Sequence, residues 1–136
     1  MEQPVQRIRV SVGEGAIDAA GLLNEVGRPD SGATILFRGT VRDHSDRVEN
    51  VTHLEYEVYA GVVEASIREI VDEASGKWPL LSVAVEHRSG VVTLGEASVA
   101  VAVATGMFSR DELLLAAPDC LLDDFSQPQS WFDQLV

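Results

Sequence analysis

Cations are scarce in this chain. Lysine and arginine number ten against 22 acidic residues, and the formal net charge is −12. A nucleic-acid surface needs clustered Lys and Arg, so that class is set aside. Cysteine occurs once, at Cys120, which excludes an internal disulfide. With one thiol, and with His44, His53 and His87 outside any metal-ligand spacing, neither a metal site nor a cofactor is expected. The apolar runs are short and broken by charge, so no segment is expected to span a bilayer. Met1 to Arg7 lack the apolar stretch of a signal peptide, and a cytoplasmic location is the expectation. Gly-rich phosphate loops are missing. Ser31-Gly32 and Ser89-Gly90 lack the flanking glycine of a nucleophile elbow. Asp123 and Asp124 are adjacent, diverge by about 100° on a helix, and read as a solvated face. Cys120 lies within the apolar run Leu113 to Leu122 and reads as a buried, inert thiol.

What is present suits one globular domain. Hydrophobic residues make up 46% of the 136, enough for a core. Arg7 to Val12 alternates, with Ile8, Val10 and Val12 on one face, and predicts a half-buried strand. Ala16 to Val26 predicts a short helix, with Ile17, Leu22 and Val26 inward. Ala33 to Arg42 predicts a buried strand, and Asp43 to Asn50 a mobile polar loop. Thr52 to Tyr59 predicts a strand with Leu54, Tyr56 and Val58 on its dry face. Gly61 to Ser75 has apolar residues at helical spacing, a Glu64–Arg68 pair at i,i+4, Gly76 as C-cap and Pro79 beyond. Strands are next expected at Ser82 to His87 and Val91 to Leu94. Ala97 to Thr105 is apolar on both faces and predicts a central strand. Asp111 to Leu122 suggests a last helix interrupted at Pro118, and Ser126 to Val136 reads as irregular. The order predicts an α+β fold, a mixed or antiparallel sheet with two to three helices.

The chemistry concentrates in Phe37-Arg38-Gly39-Thr40-Val41-Arg42-Asp43-His44. Glycine lets a ligand approach backbone, and arginine offers a planar fork of donors to phosphate or carboxylate. In so acidic a chain, Arg38 and Arg42 form the best candidate for a local anion site. On chemistry alone the same residues also read as an ordinary strand end with solvated arginines. His87-Arg88-Ser89-Gly90 has two readings as well: contact with an anion, or a structural pair bridging Glu86 or Glu96.

Taken in order, these pieces resemble the large, catalytic subunit of molybdopterin synthase, the MoaE family. The matching features are Phe37 to His44, Leu54-Glu55-Tyr56-Glu57-Val58-Tyr59, Ile70 to Ala74, Lys77-Trp78-Pro79, His87-Arg88-Ser89-Gly90 and Leu94-Gly95-Glu96. They are densest from residue 30 to residue 105. The resemblance implies a single MoaE-like domain with an α/β-hammerhead part. It implies a sulfur transfer from the C-terminal thiocarboxylate of a small, ubiquitin-like (MoaD-like) subunit to cyclic pyranopterin monophosphate. It further implies a homodimer of large subunits within a heterotetramer. Arg42 matches the family's substrate-binding arginine, with Thr40 and Val41 beside it and His44 as a further donor.

The resemblance changes at Gly106. The family continues with a Ser-x-His-Arg step, a helix carrying a lysine, and a Pro-x-Trp-Lys-Lys-like segment. Here Met107 and Phe108 stand where His-Arg belongs, and the one lysine in the chain is Lys77. From Gly106 on, six acids face the single base Arg110. The family's catalytic lysines therefore find no counterpart, and the catalytic residues are unassigned. An altered reading frame or natural divergence would each produce such a step. The alternative function is a catalytically impaired or non-catalytic relative that only binds the small subunit.

Overall fold

The computed structural model describes residues 6–106, 110–115 and 117. The chain divides into two units after Gly106. The first holds β1 (Arg7–Gly13), α1 (Ala19–Val26), β2 (Ala33–Thr40), β3 (His53–Tyr56), α2 (Ala60–Lys77), β4 (Ser82–Arg88), β5 (Gly90–Thr93) and β6 (Ala97–Thr105). The second is described through α3 (Arg110–Leu115) and Ala117. Of the helix expected over Asp111 to Leu122, α3 covers the start and Ala117, at φ +49°, is not helical; residues 116 and 118–122, Cys120 among them, lie outside the described residues, as do Asp123-Asp124 and the Ser126 to Val136 tail.

Four strands form a mixed sheet in the order β1-β4-β6-β2. β1 runs parallel to β4; β6 runs antiparallel to both β4 and β2. A separate two-stranded sheet pairs β3 with β5, antiparallel. With its helices the unit is α+β, as the element order predicts.

β6 is central because its two faces differ in size and both are apolar. Ala100, Ala102 and Ala104 are fully buried with Leu22 and Val26 of α1, Leu81 and Ala84. Alanines on the strand let the helix come close. On the opposite face Val101 and Val103 join Val10, Val83 and Val85 beneath Ile67 and Val71 of α2. The two helices thus cover opposite sides of one sheet.

Four local expectations are corrected. α1 starts at Ala19, not Ala16, because the Asp18 carboxylate accepts the Gly21 amide at 2.9 Å and caps the helix there. Ile17 still packs against the core from outside the helix. α2 runs through Gly76 to Lys77, and the Trp78 amide bonds the Ala74 carbonyl. The stop is set by Pro79, which forces the residue before it into extended backbone; Trp78 has φ −131° and ψ 147°. β3 ends at Tyr56, since its partner β5 offers only four residues, and Leu54 on its expected dry face is 42% exposed. Finally, β2 is not a buried strand. It is the sheet's edge, and Ile35 and Phe37 are 59% and 60% exposed. The Leu36 side meets the core beneath α1, whereas α2 packs on β1 at the far edge and leaves the Ile35/Phe37 side bare.

Candidate functional site

The site end of the sheet is where β2 finishes. Its pairing with β6 slips between Gly39 and Thr40: Gly39 faces Val99, and Thr40 faces Ala97. Such a bulge bends the strand and re-aims the residues beyond it. A Cβ on Gly39 would stand 2.8 Å from Val99 Cγ1, so any larger residue here would have to displace the Val99 side chain.

Val41 comes next and is 3% exposed. Its amide donates to the Glu96 carbonyl at 3.0 Å, and its carbonyl accepts the Gly95 amide at 2.8 Å. Gly95 closes this turn at φ +82°, a conformation that favours glycine. Val41 is therefore clamped on both backbone groups. What it offers the site is anchorage.

Arg42 then projects into solvent. Its side chain makes no ion pair or hydrogen bond among the described residues. Asp43 is pinned in turn: its carbonyl accepts the Val51 amide at 2.8 Å and closes the 43–51 loop at its base. The Asp43 carboxylate lies 2.7 Å from His44 Nδ1, and that bond holds the Asp43 carboxyl below its usual range. His44 is exposed but engaged by this neighbour. Thr40 is exposed at the strand end, as is Arg38 further back on β2.

Across the sheet the His87–Arg88 pair resolves in favour of structure at Arg88. Its Nη1 donates to Glu96 Oε2 at 2.8 Å; Glu86 instead meets Arg9 at 3.1 Å. Arg88 Nη2 also donates to the Glu14 and Val91 carbonyls, at 3.1 and 3.2 Å. The Glu96 carboxyl is held below its ordinary value, first by Arg88 and then by the Thr93 amide. His87 Nδ1 lies 2.7 Å from the Arg88 carbonyl. A carbonyl can only accept, so Nδ1 is the donor in this bond. The ring stands edge-on to Tyr56, 5.5 Å between centroids.

A cavity of about 570 Å³ lies at the other end of the sheet, lined by Gln6, Arg7, Gly27, Arg28, Pro29 and Asp30. Arg7 pairs with Ser82 and Ser82 with Ala104, whereas Thr40 pairs with Ala97. That spacing on β6 is about 23 Å along the strand. Arg28 is committed there, with both Nε and Nη2 2.7 Å from the Asp30 carboxylate. Among the described residues no cluster of three His, Cys, Asp or Glu could hold a metal ion.

The sequence singles out Thr40, Val41, Arg42 and His44, and the structure brings these together at one strand end. The clamp on Val41 escapes a reading of the sequence. The signal that could have found it is Leu94-Gly95-Glu96, a turn whose glycine and acid sit one strand away.

Comparison with known proteins places this geometry in a family. The model of the family described as "MoaE protein" matches residues 12–121, a span reaching beyond the densest motifs at both ends. The molybdopterin synthase catalytic subunit of Thermoplasma volcanium is 45% identical over 96 residues, covering 71% of this chain and 69% of that protein. That of Ralstonia nicotianae is 34% identical over 138 aligned positions, covering 95% of this chain and 78% of the other. Among solved structures, molybdopterin synthase from Staphylococcus aureus superposes with a TM-score of 0.64 at 25% identity, over 84% of this chain and 77% of that one.

Proposed function

This chain belongs to the MoaE family, and from that premise we propose that it is the catalytic subunit of a molybdopterin synthase. In this reading it takes sulfur from the C-terminal thiocarboxylate of a small ubiquitin-like subunit. It delivers that sulfur to cyclic pyranopterin monophosphate. The observation that carries the reading is the family match across residues 12–121.

The substrate's phosphate needs a cation on a strongly acidic molecule. Arg42 supplies one whose guanidinium has no acid competing for it among the described residues. Charge-assisted bonds from such a group to phosphate, or to an oxyanion developing at the attacked carbon, are worth about 1.5–3 kcal/mol each. The backbone on both sides of Arg42 is tied down, which keeps its approach direction narrow. Thr40 and His44 flank it as secondary donors. The same reading carries a homodimer of large subunits, each holding one small subunit, in the cytoplasm.

A second reading is a module that binds the small subunit without turning over. It is favoured by one observation: the single lysine of the sequence, Lys77, lies on α2 and is paired with Glu73. A single-turnover assay with thiocarboxylated small subunit separates the two. Conversion of the pterin precursor supports the synthase. Tight binding of the small subunit with no conversion overturns it in favour of the module.

A further inference from the structure

Arg88 is the one charged side chain among the described residues that is buried, at 8% exposure. Its three hydrogen bonds tie together three separate segments: the chain just after β1 at Glu14, strand β5 at Val91, and the turn before β6 at Glu96. Its Nε is buried without a partner. Burying a guanidinium this way is costly, and an apolar residue of similar size often stabilises a fold as well or better. A buried arginine is better understood by the geometry it holds.

That geometry leads to the site in three contacts. The Arg88 guanidinium grips the Glu96 carboxylate at 2.8 Å. The same carboxylate accepts the Thr93 amide at 3.2 Å, and the Glu96 amide returns to the Thr93 carbonyl at 3.0 Å, so the Thr93–Glu96 turn is locked at its side chain and its backbone. This turn supplies both groups that hold Val41: the Glu96 carbonyl and the Gly95 amide. Arg42 is the next residue.

We propose that Arg88 and Glu96 are positioning residues for Arg42: the ion pair fixes the turn, the turn fixes Val41, and Val41 sets where the Arg42 guanidinium is presented. The inference deepens the functional reading above and rests on Arg42 contacting the precursor's phosphate. Neither Arg88 nor Glu96 touches substrate in this scheme. Their contribution is preorganisation, which counts because small displacements of a binding group forfeit much of its effect.

The test is a double-mutant cycle on the full chain, read as the dissociation constant of cyclic pyranopterin monophosphate by calorimetry. Glu96→Gln is the variant of choice. Glu96 is half-exposed, the amide keeps an acceptor for the turn, and the backbone bonds to Val41 are untouched in composition. With Arg42 present, Glu96→Gln is expected to weaken precursor binding about three- to tenfold, the equivalent of one weakened hydrogen bond. In an Arg42→Ala background the same change is expected to shift the constant by less than about 1.5-fold, because a residue acting through Arg42 has nothing left to act on. Equal losses in both backgrounds, or no loss in the parent, overturn the inference while leaving the Arg42 assignment intact. An Arg42→Ala protein that binds the precursor as tightly as the parent overturns the site assignment itself. Melting temperature is recorded for each variant. Arg88→Lys provides the second arm: it keeps the charge but not the three-way fork, and the same dependence on Arg42 is expected.

Discussion

The two ends of the four-stranded sheet use arginine in opposite ways. At one end Arg28 lines an open cavity, yet its guanidinium is already matched by Asp30. At the other, Arg42 carries a charge with no partner among the described residues, on a backbone held from both sides. At the cavity end Arg28 is spent on Asp30, while Arg7, the other cation lining the space, acts through its charge on the Glu25 carboxyl; at the site end Arg42 sits on a rigid mount with no such acid engaged among the described residues. For an anionic substrate the second matters more. A cation already held in an ion pair, as Arg28 is by Asp30, must give up that pair before it can bind an anion, whereas an open cation on a fixed strand end needs no such exchange.

The largest expected effects come from glycine. Gly39→Val is expected to destabilise the fold by about 1–3 kcal/mol, because the new Cβ meets Val99 in a packed strand pair. At the cavity end Gly27 sits at φ −56°, ψ 135°, with only the Asn24 carbonyl at 3.4 Å from an added Cβ. Gly27→Ala is therefore expected to be neutral or to stabilise by up to about 1 kcal/mol, through the unfolded chain. Urea unfolding of both variants checks the contrast. Equal losses at the two ends would erase the distinction between a site built on close approach and a loop that merely contains a glycine.

Next in size is the loss of the charges themselves. Arg42→Ala is expected to weaken precursor binding by at least about 1.5 kcal/mol, the low end for a hydrogen bond to a charged group. Arg28→Ala is expected to leave precursor binding within about twofold, since its partner is Asp30 and its place is the far end of the sheet. Calorimetric titration of the two variants decides it. A larger effect at Arg28 would move the site to the cavity.

Much of this scaffold is legible in the sequence, for reasons that differ by element. β6 is readable to the residue, because alternating valine and alanine make a strand that only a sheet centre can cover on both sides. The end of α2 is readable to within two residues, because a proline leaves the residue before it little choice. β2 misleads, because apolar composition does not distinguish an edge from a centre; that depends on which strands neighbour it. Arg38, Arg42 and His44 stand out locally, but the clamp on Val41 joins residues 41 and 96 through strand register, which no local pattern encodes. Arg88 shows the same limit. Glu86 and Glu96 are both near it in sequence, and it is in the fold that Glu86 meets Arg9 and Glu96 meets Arg88.

The smallest effect is the most local, and it separates the two ends by pH. Arg28 holds the Asp30 carboxyl below the usual range, and Arg88 does the same for Glu96. Each carboxyl is thus more acidic folded than unfolded. The stability each pair contributes is complete above the unfolded values, about 3.9 for Asp and 4.3 for Glu, and is lost as pH falls through the lower folded ones. What differs is where the loss is felt. Protonating Glu96 loosens the turn that supplies both partners of Val41, so the backbone amide resonances of Val41 and Gly95 should shift together through that acid window. Protonating Asp30 should leave those two resonances still and move those of Gly27 and Arg28. Two-dimensional amide spectra of the parent, Glu96→Gln and Asp30→Asn track both ends at once. Glu96→Gln should abolish the movement of Val41 and Gly95, and Asp30→Asn should not. If Val41 and Gly95 still titrate without the Glu96 carboxyl, the ion pair is not what steadies the strand end, and the two ends of the sheet differ only in which arginine happens to be free.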